Sequence, residues 1–85
     1  MNSDREGAQV KTQYPENFKA LGQNLAYYRK RAGYTQEAFA EYIGKSANFI
    51  SQIEGPATLK GVSLETLFKM ADTLHIPPGQ VLDGR

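Results

Sequence analysis

The chain contains no cysteine, no tryptophan and a single histidine. Without thiols it has no disulfide staple, no thiolate metal site and no cysteine nucleophile. No apolar run approaches the ~20 residues that cross a bilayer, and the chain does not open on a secretory signal pattern. The expected compartment is the cytoplasm, with no membrane partner. An excess of one charge is missing too: ten Lys and Arg stand against nine Asp and Glu, a formal +1. A near-neutral sum neither demands nor excludes a polyanionic partner, because local placement of charge decides. Paired carboxylates, a Ser/His/Asp set, a glycine-rich phosphate loop and metal-ligand spacing are also lacking. The chain is therefore expected not to be an enzyme and to need no metal, cofactor or small-molecule ligand.

What is there amounts to 85 residues, one small domain. A domain of this size buries about 60–65% of its unfolded surface, so every apolar face must be used. Without staples, such a fold relies on well-packed helices or on a partner subunit. Residues 1–13, "MNSDREGAQVKTQ", are polar and aperiodic. They read as a disordered tail ahead of a domain over 14–85, with Arg5 and Lys11 as the cations of any arm reaching into a DNA groove.

From Pro15 onward the periodicity is helical. Phe18, Leu21, Leu25 and Tyr28 fall at i, i+3, i+7 and i+10, one face of a first helix. Arg29, Lys30 and Arg31 close it, where cations complement the helix dipole, and Gly33 suits a left-handed position just beyond. Thr35 is an N-cap for a second helix, in which Phe39 and Ile43 are a core pair and Gly44 is the stop. Ser46 caps a third helix carrying Phe49, Ile50 and Ile53, ended by Gly55-Pro56. Ser63 caps a fourth, whose expected apolar stripe is Leu64, Leu67, Phe68, Ala71 and Leu74. Pro77-Pro78 stops it and starts a short turn ending in Val81-Leu82. The expected fold class is all-α, a compact bundle of four to five helices. His75, at the end of the fourth helix, is expected to act on the helix dipole rather than as a ligand or base. Tyr27, Tyr28, Tyr34 and Tyr42, scattered over helices, are expected at core edges or dimer contacts rather than stacked on single-stranded bases.

The stretch "TQEAFAEYIGKSANFISQIEG", residues 35–55, holds the chemistry. On a wheel of about 100° per residue, Ala47, Asn48, Ser51 and Gln52 span roughly 140° of one side of the third helix. Phe49, Ile50 and Ile53 lie opposite. Short amides have no catalytic strength, but they match the N7 acceptor and N6 donor of adenine in the major groove, and an alanine methyl suits the thymine methyl. Gly44 permits a tight turn between the second and third helices, and Ala40 permits their close crossing.

The same stretch, with the lead-in "YYRKRAGYTQEAFAEYIG" and the ending "ISQIEG", resembles the helix-turn-helix of lambda-repressor-like, or Cro/XRE, DNA-binding domains. The resemblance covers about residues 16–82. It implies a compact five-helix domain that binds double-stranded operator DNA, usually as a homodimer on a palindrome. It further implies that Ala47, Asn48 and Gln52 face base edges, and Ser51, on the same side of the helix by its spacing, is expected to join them. Gln36 at the start of the second helix, Ser46 at the start of the third, Lys45 in the turn and Lys60 in the following loop would meet phosphates. Arg29 and Glu54 fall on a pair that forms a partly buried ion pair in several members. Two departures stand out. The loop "GPATLKGV" holds one cation, Lys60, where the family is often basic, leaving Lys30, Arg31 and Lys45 to help anchor phosphate. Ala47 also replaces a frequent polar reader. The expected function is a dimeric transcriptional repressor, joined through the loop after the third helix (Pro56, Leu59, Val62) and the C-terminal segment (Ile76, Val81, Leu82). The alternatives are a DNA-binding antitoxin, for which little chain remains to bind a toxin, and an interaction module that has lost DNA binding.

Overall fold

A computed structural model describes residues 12–55 and 60–84. These form five helices: α1 Pro15–Arg31, α2 Gln36–Ile43, α3 Ala47–Glu54, α4 Leu64–Leu74 and α5 Pro78–Asp83. Residues 1–11, and with them Arg5, Lys11 and most of the proposed tail, lie outside the described residues, as do Pro56 and Leu59 of the loop.

Local chemistry sets the helix boundaries. The Thr35 hydroxyl accepts from the Ala38 N–H at 3.0 Å, that of Ser46 from Phe49 at 3.1 Å, and that of Ser63 from Thr66 at 3.1 Å. Each satisfies a first-turn N–H that has no partner inside its helix. Pro15 opens α1 at a position whose N–H is not needed. Gly44 ends α2 in the left-handed conformation, φ 74°. There the Lys45 N–H reaches back to the Ala40 carbonyl at 2.8 Å, and three residues, Gly44 to Ser46, carry the chain from α2 into α3. His75 takes the corresponding left-handed position after α4, φ 57°, with the Ile76 N–H on the Ala71 carbonyl. The side chain is exposed, and the residue's visible role is a backbone one, as the C-cap.

The centre of the domain is Leu25, Phe39, Ile43, Ile50, Met70 and Val81, all fully enclosed. Leu21, Leu67, Ala71 and Val81 extend it toward α5, with Val62 and Ile76 packed against both parts. Val62, Ile76 and Val81 thus serve the core rather than forming the apolar surplus expected for a dimer contact; of the C-terminal set, Leu82 is exposed. The short α5 is also tied to α1 by polar contacts. Asn24 donates to the Val81 carbonyl at 3.0 Å, and Gln80 donates to the Tyr28 hydroxyl at 3.1 Å. That hydroxyl donates in turn to the Gly84 carbonyl.

The stripe expected on α4 is corrected in two places. The buried arc is Thr66, Leu67, Met70, Ala71 and Leu74, whereas Leu64 and Phe68 are 68% and 53% exposed. Spacing alone put them in line with Leu67 and Ala71. The arc, however, is filled from the other side by Met70 and Thr66, whose hydroxyl is satisfied by Ser63. At about 100° per residue Leu64 and Phe68 then fall roughly 20° and 60° past Ala71, where no described helix covers them.

Gly22 is the residue the sequence reading overlooked. It is buried in mid-α1, and a Cβ built there would overlap the carbonyl oxygen of Ile53. The backbones of α1 and α3 therefore touch at this point, and only a residue without a side chain permits it. Alanine would favour an isolated helix by about 1 kcal/mol, yet Gly22→Ala should destabilise the domain by about 1–3 kcal/mol through overpacking against backbone that cannot yield. Denaturant unfolding of the two proteins checks this; a variant as stable as the parent would show that the helices do not meet so closely.

Candidate nucleic-acid interface

The second and third helices, with the turn between them, form one structural piece. Phe39, Ala40 and Ile43 of α2 and Ile50 and Ile53 of α3 share the buried side, with Phe49 packed at its edge. Ala40 is 1% exposed, which is the close crossing its size allows. What faces away on α3 is polar: Asn48 and Ser51 are exposed, Ala47 and Gln52 half-buried. The side chains of Asn48, Ser51 and Gln52 make no hydrogen bond to another described residue. Four residues therefore share the outer face of α3, three of them with donors and acceptors still available.

The inner end of α3 is held differently. The Arg29 guanidinium, at the last turn of α1, donates to both oxygens of Glu54, from Nε at 2.7 Å and from Nη2 at 2.9 Å. Its Nη1 donates to the Tyr34 carbonyl at 2.7 Å. The side chains of the pair are only 7% and 6% exposed. Gln36 Nε2 adds a further bond to Glu54 Oε1 at 3.0 Å. One guanidinium thus joins the end of α1, the entry to α2 and the end of α3. A fork of this kind has narrow distance and angle limits, so it fixes the register of α3 as well as its proximity.

The residues expected to meet phosphates are placed less uniformly. Lys45 and Ser46 follow Gly44 at the turn, and Lys45 Nζ stands 5.3 Å from the centre of the Phe49 ring. The Ser46 hydroxyl caps α3 while the side chain stays exposed. Gln36 lies at the start of α2, but one side-chain N–H is committed to Glu54. The amide's second N–H and its carbonyl oxygen make no hydrogen bond to another described residue. Lys60 is half-buried ahead of α4, on the far side of the residues left undescribed. Lys30 and Arg31 are exposed at the end of α1. The link from Gln36 to Glu54 crosses eighteen positions and follows no helical period, so nothing in local spacing signals it. Among the tyrosines, Tyr28 is core, while Tyr27 stacks edge-on against it at 4.9 Å and Tyr42 against Tyr34 at 5.4 Å.

Removing one member of a buried pair strands the other without solvent or counter-charge. Glu54→Gln should therefore lower stability by about 3–5 kcal/mol, many times the ~0–1 kcal/mol of an exposed pair. Thermal unfolding measures it, and an unchanged midpoint would mean that the pair is effectively solvated.

The HTH_3 helix-turn-helix family model matches residues 25–81. No curated protein sequence matches the chain. Among solved structures, the restriction-modification controller protein C.AhdI from Aeromonas hydrophila superposes with a TM-score of 0.70 at 27% identity, over 78% of this chain and 97% of that one. The biofilm master regulator SinR of Bacillus subtilis, solved in complex with DNA, gives 0.67 at 30% identity over 74% and 98%. The clp gene regulator ClgR from Corynebacterium glutamicum gives 0.69 at 31% over 75% and 66%. With the motif, the packing and these likenesses in agreement, the chain belongs to the HTH_3 helix-turn-helix family, the Cro/XRE, lambda-repressor-like class of DNA-binding transcription regulators.

Proposed function

We propose that the protein is a sequence-specific regulator that binds a palindromic operator in double-stranded DNA as a homodimer and represses from it. The observation that carries this reading is the outer face of α3, where Asn48, Ser51 and Gln52 keep their hydrogen-bonding groups available on a helix whose register is locked from behind. An eight-residue helix of this width fits the major groove, where amide side chains read adenine and an alanine methyl meets thymine. SinR, solved on DNA, shares the fold and 30% of its residues with this chain, which supports DNA as the partner. No helix of the described residues is long and apolar enough to cross a membrane, and this reading puts the protein in the cytoplasm with its operator.

Roles divide by chemistry. Ala47, Asn48, Ser51 and Gln52 are assigned to base edges. Lys45, Ser46 and Lys60 are assigned to phosphates, with Gln36 contributing through its backbone or the second N–H of its amide. The ring of Phe49 limits the wandering of Lys45 and so lowers the entropy lost when its ammonium settles on a phosphate. Two-fold pairing is part of the proposal because one short helix reads only a few base pairs. Two helices about 34 Å apart would read half-sites about 10 bp apart.

Asn48→Ala and Gln52→Ala should each cost about 1–3 kcal/mol at one base pair and relax preference there. Lys45→Ala should instead weaken binding to all sequences alike and flatten the salt dependence by about one unit of slope. Titration of operator and single-base variants over a salt series separates the two classes. Base preference untouched in both amide variants would refute the assignment of α3 as the reading helix. Two protomers per duplex at saturation supports the dimer, and one protomer would refute it.

A further inference from the structure

We infer that the dimer of the preceding reading, on which this inference rests, is closed by α4 packing antiparallel on α4 of a second copy, through Leu64 and Phe68. These two are one turn apart on the helix and both more than half exposed, whereas every other described leucine, isoleucine and phenylalanine except Leu82 is buried or half-buried. They lie next to a charged flank made by Glu65 and Lys69, again one turn apart and exposed, neither of which is in an ion pair with another described residue. The order of the four residues is what selects the occupant.

In an antiparallel pair related by a two-fold axis, a residue i faces j when their numbers sum to a constant, and every contact occurs twice. An axis passing between Thr66 and Leu67 brings Leu64 to within about 1.5 Å, along the helix, of the level of Phe68 in the other copy. The same axis brings Glu65 to within about 1.5 Å of the level of the other copy's Lys69. Like flanks meet in an antiparallel pair, so both the apolar and the ionic contacts are satisfied by one register. A foreign partner would need an acid and a base in matching order. A second copy supplies them by symmetry. One helix face from each copy lies at or below the low end of interface size, about 1,200 Å². The free protein should therefore be a weak dimer in the micromolar range, completed on DNA.

Charge reversal tests the register without opening the core, because all four side chains are exposed. Sedimentation equilibrium of the full chain should show self-association that weakens about tenfold in Glu65→Lys and again in Lys69→Glu, since each places like charges opposite each other twice. An equimolar mixture of the two variants should restore dimers, now mixed, because each copy then meets its complement. Phe68→Glu should abolish association while its circular dichroism and melting point stay near those of the parent. Two results would overturn the inference. One is self-association unaltered in Phe68→Glu, which leaves a dimer formed elsewhere. The other is a mixture no more dimeric than its components. Neither touches the dimeric operator reading itself, which stands or falls on the number of protomers per duplex.

Discussion

One guanidinium removed from water holds the working part of this domain in place. Arg29 stands where three chain segments converge, and it satisfies the Glu54 carboxylate and the Tyr34 carbonyl together. Apolar contact between α1 and α3 would bring them together but is indifferent to direction. The fork is not, because its bonds weaken steeply with misalignment. Gln36 reinforces the same carboxylate from α2, and Gly22 removes the steric obstacle that would keep α3 at a greater distance. Rotation of α3 about its own axis is therefore constrained at its C-terminal end by charge and at its N-terminal end by the turn at Gly44.

The consequence appears on the opposite side. Because Phe49, Ile50 and Ile53 are turned inward, Ala47, Asn48, Ser51 and Gln52 are turned outward. On the proposed reading, the value of Asn48, Ser51 and Gln52 lies in side chains that make no hydrogen bond to another described residue. A side chain already satisfied internally must break a bond before it can read a base, whereas an available amide exchanges only water. Gln36 and Gln52 illustrate the contrast. They are the same residue type within one motif. One spends an amide N–H on the internal carboxylate, and the other makes no side-chain bond to another described residue.

What could be read from the sequence was local. Thr35, Ser46 and Ser63 announce helix starts because a capping hydroxyl acts three residues away, and Gly44 announces a turn because its backbone geometry suits few other residues. The polar face of α3 was legible for the same reason, being a pattern of one short helix. The commitment of Gln36 to Glu54, and the overlap that forbids a side chain at Gly22, arise between segments distant in sequence and leave no periodic trace. On α4 the spacing misled. Leu64 and Phe68 fit an apolar line with Leu67 and Ala71, but which edge of a broad stripe is covered depends on where α2 and α5 pack. Of the apolar residues that suggest a dimer contact, Val81 is in the core and Val62 and Ile76 pack against it, Leu82 is exposed, and Pro56 and Leu59 lie outside the described residues; an exposed apolar pair stands on α4.

The central claim is that α3, locked from behind, presents a face that reads base pairs twice across a symmetric site. The most direct test is selection of bound sequences from random duplex DNA with the full chain, at a salt concentration that suppresses non-specific binding. The account predicts enrichment of an inverted repeat whose half-site centres are about 10 bp apart. Recovery of duplexes with no common sequence would contradict it, as would a single asymmetric site.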